Sequence, residues 1–559
     1  MSLQKSNTRA LRGHTIRLAL VLCFFLVLLA VLWFRMLDLM VLHRQFLQGQ
    51  GDARSVRVIQ TPAYRGLITD RNAIPLAVTT SVPSIVVNPK SFHAKKKQYQ
   101  ALEEILNLPV GQLKKQIHAM HQKEFLYIKR QIPPSLAEKV AALDIPGIIF
   151  QTEYKRYYPE GDSTAQLVGF TNIDDQGIEG MELAYQDWLK GTPGRKKVLK
   201  DRMGREIEEL AVLSPPHPGH DLVLSIDRRI QFLAYDALKD TLEKFKAKSG
   251  SVVVIDTETG EILAIVNAPS FNPNVRAAYG KDTYRNKSIT DTFEPGSVIK
   301  PFSIASALET GNFTPDTVID TRPSWMTVQG HTIRDVHDYG VLTVTGVLEH
   351  SSNVGVTKMV LTSPPEQLIG LLLRSGFGQR TESNYPGESD GGVVRVKEAN
   401  PFVLATLGFG YHLSVTALQL AKAYTIFANH GALLPISLIH TDNVPTKTQV
   451  ISPKVSDDVL HMMESVMENG TGRSARIPGY RVAGKTGTAR VAGKKGYAEN
   501  RHIASFVGIA PVTHPKLVVV VIVQEPTHLG YYGAAVAAPL FAQVMSGALR
   551  VLNVPPDKS

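Results

Sequence analysis

The chain has 559 residues, which is too long for one small core, so roughly two to four domains are expected. Its net charge of +11 comes from short, separated basic clusters without interleaved aromatic residues. This pattern is typical of solvated faces and argues against nucleic-acid binding. The single cysteine, Cys23, excludes an internal disulfide and a cysteine metal cluster.

The N-terminal segment predicts a cytoplasmic tail followed by a membrane anchor. Residues 1–17 carry four basic side chains and no acidic one. Residues 18–34 form an uncharged apolar run near the lower limit of the roughly 17–25 residues that a spanning helix needs. The run ends in an aromatic and basic triplet at Arg35, without the small residues of a signal cleavage site. We therefore predict an uncleaved anchor over 18–42, with the N-terminus in the cytoplasm and the rest of the chain outside.

Residues 43–213 have mixed strand and helix signals and predict a mixed α/β domain. Strand signals lie at 56–59 and 64–72, and a helix signal runs from Gly180 to Leu189. The charged residues of this region are more typical of structural ion pairs than of catalytic groups: Arg65, Asp70, Arg71 and Glu182.

The proline-rich segment 214–220 predicts a linker to a second domain at 221–551, which a tail at 552–559 follows. The first signal of this domain is a strand at 221–226. The later signals predict a helix, a hairpin, a long helical region and three late strands, at 230–245, 252–266, 301–429, 481–490, 502–509 and 517–523. Strands at both ends with helices between them predict an α+β fold whose sheet joins distant parts of the chain.

A serine and a lysine stand at the predicted start of a helix in this domain. Pro301 is tolerated only in the first turn of a helix, so the helix must begin close to Ser297. Ser297 and Lys300 then share one helical face, with the hydroxyl near the positive end of the helix dipole. A serine beside a lysine that loses its charge on burial is a candidate nucleophile. The spacing alone is weak, because Ser2 and Lys5 repeat it in the tail.

Two further polar clusters follow. The stretch Glu349-His350-Ser351-Ser352-Asn353 lies between helical segments and, taken alone, is typical of a helix cap. The stretch Lys485-Thr486-Gly487-Thr488 lies on a predicted strand, where the glycine allows another backbone to approach closely. This suits a peptide-like substrate laid along a strand edge.

Other chemistries find less support. Residues 479–486 fit a phosphate-binding loop pattern, but the strand before it and the helix after it are missing, so nucleotide binding is rejected. Neighbouring acidic and histidine residues lack a recognised ligand spacing and are predicted to be surface or turn residues: His331, Asp335, His337 and Asp338. We expect neither a metal site nor a cofactor. A serine–histidine–acid triad is possible in principle, but nothing singles out a histidine for it.

The order of the three clusters is more specific than any one of them. Ser297-x-x-Lys300, Ser351-x-Asn353 and Lys485-Thr486-Gly487 follow the motif order of serine β-lactamases and penicillin-binding proteins, with Ser352 in place of the usual aspartate. Other stretches resemble the pedestal and transpeptidase domains of class B penicillin-binding proteins: 65–72, 156–159, 177–182, 291–297, 408–411 and 531–533. The layout is most similar to the division-specific Gram-negative member of that family. Ala73 departs from the small turn residue that the family usually has there.

The resemblance implies a single membrane helix, a pedestal domain and a penicillin-binding transpeptidase domain. It implies that Ser297 attacks the penultimate D-alanine of a peptidoglycan stem peptide, and that the acyl-enzyme then passes to an amine of a neighbouring stem. Lys300 is the best candidate to accept the serine proton, although which group is the base stays open. β-Lactams are expected to acylate the same serine.

The remaining roles also follow from the resemblance. Ser351 is expected to relay the proton to the leaving amine, and Asn353 to orient Lys300 or the substrate amide. Lys485 is expected to stay cationic and to attract the substrate carboxylate. Thr486 and Thr488 are expected to bind the substrate as hydroxyl donors, and Gly487 is expected to bind it as well. Two aromatic residues either line the pocket or only pack beside it: Tyr531 and Tyr532.

The implied setting is the septum of a dividing bacterium, in the inner membrane, with division-complex membrane proteins as partners, including a glycosyltransferase that uses lipid II. Four alternatives stay open at this point. The protein could be the elongation-specific transpeptidase, a membrane-anchored serine β-lactamase, a penicillin sensor or a non-catalytic scaffold.

Overall fold

The computed structural model describes residues 4–201, 206–275, 282–493 and 496–558. The chain forms two compact units, each assembled from separate stretches. The first unit comprises Met1–Ala63, Ser81–Glu153 and Thr192–His217, and the second comprises Tyr64–Thr80, Tyr154–Gly191 and Pro218–Ser559. The last boundary between the two units along the chain lies between His217 and Pro218, within the proline-rich segment 214–220.

The N-terminal helix fits a single-pass membrane anchor. It runs over Gln4–Leu37, continues as a π-helical turn at Asp38–Leu42, and is followed by the helix Arg44–Ser55. Its part His14–Leu42 is long and apolar enough to cross a membrane, and none of it is buried inside the protein. A helix that is apolar on all sides yet unburied suits hydrocarbon surroundings, because its backbone polar groups are already bonded within the helix.

The rest of the first unit contains a small sheet and a helical subdomain. In the sheet, Gly194–Lys200 lies between the antiparallel strands Val56–Thr61 and Glu206–Ser214. The subdomain has its own apolar core and is built from Lys96–Ile105, Gln112–Ala119, Leu126–Lys129 and Pro134–Ala141. The buried carboxylate of Glu103 accepts hydrogen bonds from the N–H groups of Gly111 and Leu113, 2.9 and 3.0 Å away, and so fixes the start of its second helix.

The part of the second unit that comes from Tyr64–Thr80 and Tyr154–Gly191 is more irregular than the sequence predicts. The segment 64–72, predicted as a strand that enters a turn, has its strand only at Ile68–Thr69 and its turn at 71–72. The strand predicted at 221–226 is only Leu222–Val223, and it pairs in parallel with Ile68–Thr69. The predicted helix at 180–189 is interrupted at Tyr185, whose non-helical backbone separates Gly180–Ala184 from Gln186–Leu189. The long strands Pro75–Val87 and Ile148–Tyr157 each continue from one unit into the other.

A buried ion network holds this part of the second unit together. The Glu182 carboxylate accepts hydrogen bonds from Nε of Arg65 and Nε of Arg156, both at 2.6 Å, and all three side chains are almost fully buried. Arg71 pairs with the buried Glu261 at 3.0 Å. The prediction of structural ion pairs is therefore confirmed for these arginines and for Glu182.

The main sheet of the second unit has five antiparallel strands that come from both ends of the predicted domain at 221–551. Their order is Ile262–Ala268, Ser249–Asp256, Leu517–Gln524, Gly496–Ala510 and Ala483–Gly493. Successive residues of the central strand Leu517–Gln524 pack alternately into two apolar clusters, one on each side of the sheet. The helices Arg228–Phe245 and Gly533–Val551 cover one side, and Ala417–Ala428 covers the other. The predicted α+β fold is confirmed.

The region between these strands is mainly helical, as predicted. Its helices and helical turns are Lys287–Thr290, Gly296–Ile299, Lys300–Leu308, Val344–Glu349, Asn353–Val360, Pro365–Arg374, Val396–Glu398, Pro401–Leu407, Ala417–Ala428, Pro453–Glu468 and Arg473–Ala475. Short strand pairs that the sequence did not predict interrupt it: Val318–Asp320 with Val341–Thr343, Trp325–Val328 with His331–Arg334, Gly392–Val393 with Leu413–Ser414, and Ala432–Leu433 with Thr448–Gln449. The predicted tail is docked, since the Asp557 carboxylate accepts a hydrogen bond from the N–H of Arg481 at 2.7 Å.

The buried network predicts a large effect for one substitution. Glu182→Ala leaves two guanidinium groups buried without their carboxylate, and breaking such a pair costs about 3–5 kcal/mol of unfolding free energy. We expect a clear drop in the denaturation midpoint of the purified protein. The control is Asp320→Asn, because Asp320 pairs with Arg322 on the surface at 2.9 Å. An unchanged midpoint for Glu182→Ala would contradict the structural role.

Candidate active site

The turn that carries Ser297 is held from two sides. It is a 3₁₀ turn, Gly296–Ile299, that leads directly into the helix Lys300–Leu308, so the predicted helix start is found with Pro301 in its first turn. Gly410, with φ +90°, lies against it so closely that a Cβ there would be 2.1 Å from the carbonyl oxygen of Gly296. The N–H of Gly296 donates to the Gly410 carbonyl at 3.2 Å. Ser297 is half-buried at this fixed position.

Lys300 is fully buried beside the second motif. Its Nζ donates to the carbonyl oxygen of Ser351, to Ser351 Oγ at 3.1 Å and to Asn353 Oδ1 at 2.8 Å. Burial, and after it the neighbouring Lys485, lower the pKa of Lys300 well below its usual range, and Asp335 partly opposes this. The three oxygens match the three N–H donors of the ammonium form; once one proton is lost, two donors and a lone pair remain, and in that form Lys300 can accept a proton.

Lys485 approaches the same hydroxyl from the motif strand, Ala483–Gly493. Its Nζ donates to Ser351 Oγ at 3.0 Å and to the carbonyl of Thr486 at 3.1 Å, and burial lowers its pKa to about 7. Ser351 Oγ therefore lies between two buried amines. Ser351 has φ +57°, a left-handed conformation that costs a serine about 1–3 kcal/mol. The surrounding structure must impose this geometry.

The residue that fixes this strained turn is one that the sequence misassigned. The Asp335 carboxylate accepts hydrogen bonds from Ser352 Oγ and the N–H of Asn353, both at 2.5 Å, and from the N–H of Val354 at 3.0 Å. The interpretation of Asp335 as a mere surface or turn residue is therefore wrong. Its partners lie 17 to 19 positions further along the chain, so no local pattern links them.

The interpretation of the second motif as a helix cap holds for its middle residue, Ser352. Ser352 Oγ accepts a hydrogen bond from the N–H of Gly355 at 2.8 Å and so caps the helix Asn353–Val360. Its two neighbours, Ser351 and Asn353, face Lys300 instead. One short stretch thus combines a helix cap with two pocket groups.

The other residues of the rejected metal cluster have local partners. His331 stacks on Phe402 and His337 packs edge-on to Tyr339, while Asp338 accepts a hydrogen bond from the N–H of Gly340. Within the stretches that the structure describes, no three His, Cys, Asp or Glu side chains are placed to hold a metal ion.

The motif strand packs against the turn of Ser297 because it has a glycine there. A Cβ on Gly487 would lie 2.2 Å from Ser505 Oγ and 3.0 Å from a methyl carbon of Val298. Lys485 pairs with Val507 in the sheet, so the segment 479–486 leads into a strand and has no helix after it. It lacks the strand–loop–helix geometry of a phosphate-binding loop.

The threonines of the strand have defined partners. Thr486 Oγ1 lies 2.9 Å from Thr471 Oγ1, and Thr488 Oγ1 accepts a hydrogen bond from the N–H of Gly533 at 3.0 Å. Gly533 follows directly on Tyr531 and Tyr532. These rings stack on each other with centroids 4.5 Å apart, and 37% and 52% of the two residues is exposed. The two tyrosines thus lie next to the motif strand on the protein surface and are not core residues.

This arrangement combines a serine at a helix start, two buried amines sharing one hydroxyl, and a sheet edge, which together suit acyl transfer to or from a peptide. Comparisons with known proteins agree. Residues 250–546 match the penicillin-binding protein transpeptidase domain, and residues 60–224 match the penicillin-binding protein dimerisation domain.

Relatives cover nearly the whole chain. The probable peptidoglycan D,D-transpeptidase PbpC of Pseudomonas aeruginosa is 43% identical over 100% of this chain and 97% of its own. The peptidoglycan D,D-transpeptidase FtsI of Escherichia coli K12 is 42% identical over 97% of this chain and 92% of its own. The transpeptidase domain of Burkholderia pseudomallei penicillin-binding protein 3 is 41% identical, with a TM-score of 0.56, over 60% of this chain and 98% of that structure.

The fold and the site thus define a penicillin-binding transpeptidase-type protein. The chain belongs to the class B penicillin-binding proteins, as the sequence motifs predict, with a dimerisation domain ahead of the transpeptidase domain.

The carboxylate of Asp335 predicts a measurable effect on acylation. Asp335→Ala frees the Ser351 turn, and hydrogen bonds to a charged group contribute about 1.5–3 kcal/mol each. We expect fluorescent penicillin to label this variant about tenfold to hundredfold more slowly than the wild type. Asp338→Ala is the matched control, because that carboxylate serves only its own turn among the contacts that the structure describes. Wild-type labelling by Asp335→Ala would refute the role.

The two lysines predict a bell-shaped pH dependence. With a pKa lowered to about 7, Lys485 is cationic below that pH and neutral above it, so attraction of an anionic β-lactam weakens on the alkaline side. Protonation of Lys300, whose pKa is also lowered, sets the acid side. The second-order rate constant of acylation, measured from pH 5 to 9.5, reports these groups in the free enzyme as a coupled pair. A rate that still rises at pH 9.5 would contradict the assignment of Lys485.

Proposed function

We propose that this protein is a serine D,D-transpeptidase that cross-links peptidoglycan stem peptides during cell division. The observation that carries the proposal is the position of Ser351 Oγ, 3.1 Å from Lys300 Nζ and 3.0 Å from Lys485 Nζ, beside the turn of Ser297. Its relatives in Pseudomonas aeruginosa and Escherichia coli are named peptidoglycan D,D-transpeptidases, which supports the same reaction here.

The first step is acylation of Ser297. Its Oγ attacks the carbonyl carbon of the penultimate D-alanine, an ester bond forms, and the peptide bond to the terminal D-alanine breaks. Lys300 in its neutral form, which burial favours by lowering its pKa, accepts the hydroxyl proton. Ser351 then passes a proton to the departing amine, a role that its contact with both lysines supports. Asn353 holds Lys300 in place through its side-chain carbonyl.

Binding of the donor stem relies on the motif strand. Lys485 in its cationic form attracts the terminal carboxylate, and Thr486 and Thr488 supply hydroxyl donors. The N–H groups of Ser297 and Thr488 form the oxyanion hole in this proposal, and loss of one such donor typically costs about 10²–10³ in rate. The absence of a side chain at Gly487 supports this oxyanion hole, because it allows the motif strand to lie next to the turn of Ser297.

The second step completes the cross-link. An amine of a neighbouring stem attacks the ester carbonyl, a new amide bond forms, and Ser297 Oγ leaves and regains its proton. β-Lactams are expected to enter the first step as substrate mimics, because opening of their ring amide acylates the same serine. Tyr531 and Tyr532, exposed at the rim, are placed to contact the side chains of either ligand.

The cellular setting follows from the anchor and the relatives. We place the N-terminus in the cytoplasm, because the tail is basic, and the two units in the periplasm, attached to the inner membrane. Similarity to an FtsI supports the septum as the site of action. Division-complex membrane proteins, including a glycosyltransferase that uses lipid II, are the partners expected for the anchor and pedestal.

Removal of the nucleophile tests the reaction. With the wild type, intact-mass measurement should show one covalently added benzylpenicillin, and Ser297→Ala should show none while it keeps its denaturation midpoint. Ser2→Ala, at the chance copy of the motif, is the matched control and should be acylated normally. In cells depleted of the protein we expect filaments, which the wild-type gene rescues and Ser297→Ala does not.

Each other outcome points to a different function. Labelling of Ser297→Ala would refute the nucleophile. Round cells on depletion would indicate the elongation-specific enzyme, and rapid turnover of nitrocefin would indicate a β-lactamase. Rescue of division by Ser297→Ala would indicate a scaffold.

A further inference from the structure

A loop that carries none of the three motifs closes the pocket between the second motif and the third. It comprises residues 469–472 and follows the helix Pro453–Glu468. Gly470 lies so close to Glu349 that a Cβ would be 2.5 Å from the Glu349 carbonyl oxygen, and the N–H of Thr471 donates to that same oxygen at 3.2 Å. Glu349 stands two residues before Ser351. The loop is therefore fixed to the backbone of the second motif.

The side chain of Thr471 faces the third motif. Its Oγ1 is 2.9 Å from Thr486 Oγ1, while Lys485 Nζ is 3.5 Å from the same Thr486 oxygen. A distance of 3.5 Å is too long for a strong hydrogen bond, so Thr471 Oγ1 is the closer side-chain partner of Thr486 Oγ1 among the described residues, and either of the two hydroxyls can be the donor. Thr471 is itself half-buried at the pocket side of the loop.

The direction of this bond decides what Thr486 can offer a ligand. A hydroxyl has one proton and two lone pairs. When Thr471 donates to Thr486 Oγ1, the proton of Thr486 is free to bond elsewhere. A carboxylate only accepts hydrogen bonds and needs such directed donors, and charge-assisted bonds of this kind are the stronger ones.

We propose that Thr471 is a positioning residue for carboxylate recognition: it donates its proton to Thr486 and so directs the Thr486 hydroxyl at the terminal carboxylate of the donor stem peptide and at the carboxylate of β-lactams. This inference rests on the proposed function of the pocket. The same carboxylate is attracted by Lys485, whose Nζ is already committed to Ser351 Oγ and the Thr486 carbonyl. Thr471 thus orients the Thr486 hydroxyl toward the carboxylate, and Lys485 provides the positive charge that attracts the carboxylate.

The test compares two probes that differ only at the carboxylate, benzylpenicillin and its methyl ester. Thr471→Val keeps the shape and removes the hydroxyl, and Thr471→Ser keeps the hydroxyl. For Thr471→Val we expect the second-order acylation constant for benzylpenicillin to fall about tenfold or more, mainly through weaker binding, because a bond to a charged group is lost. The constant for the methyl ester should change less than twofold, and Thr471→Ser should restore the wild-type value for benzylpenicillin.

The matched control is Thr310→Val, since the Thr310 hydroxyl bonds only the Ala307 carbonyl and the N–H of Asn312 among the described contacts. An equal loss with both probes, or no loss with benzylpenicillin, overturns the inference. If Thr471→Val does not fold, Thr471→Ala compared with Thr471→Ser decides by the same ratio between the probes. Failure of the wild type to form an adduct at Ser297 would instead refute the proposed function, so the two failures are distinct.

Discussion

The burial of two lysine side chains around one serine hydroxyl is the constraint on which the pocket depends. Removing an ammonium group from water costs about several kcal/mol even after the protein relaxes, and two such charges close together repel each other. Burial lowers both pKa values, that of Lys300 well below its usual range and that of Lys485 to about 7. The two sites differ in their neighbours, because Lys300 is also affected by the charges of Lys485 and Asp335, whereas burial is the cause of the shift at Lys485.

Close backbone contact brings the three motifs together. The turn of Ser297 lies between the loop at Gly410 and the motif strand at Gly487, and at both glycines a Cβ would clash with a neighbouring atom. The strand is the edge of a sheet whose central strands are buried on both faces, so its position is fixed by the core of the domain. On the other side, Asp335 and the loop at Thr471 hold the second motif. Packing of small residues thus sets distances between groups that are far apart in sequence.

The fold was predictable where the periodicity was long and apolar. The five sheet strands, the helix after 228 and the helix start at Ser297 follow from short runs rich in apolar and β-branched residues, helical spacing and the position of Pro301. Short elements were predicted less well, because tertiary contacts decide them: the helix at 180–189 breaks at Tyr185, and the strand pairs between 318 and 343 have too few residues to show a period. Asp335 was misassigned for a related reason, since an isolated carboxylate gives no signal of distant partners.

The sequence by itself determined the apolar N-terminal helix that fits a membrane anchor, the fold class and the ordered set of three motifs, because these depend on hydrophobic pattern, backbone limits of proline and glycine, and residue type at fixed spacing. Only the tertiary structure decided that Ser351 Oγ lies between Lys300 and Lys485, that Asp335 secures this turn, and that Thr471 bonds Thr486. Burial, proton affinity and hydrogen-bond direction depend on which groups meet across the core. No local stretch of sequence contains that information, since the meeting groups come from separate segments of the chain.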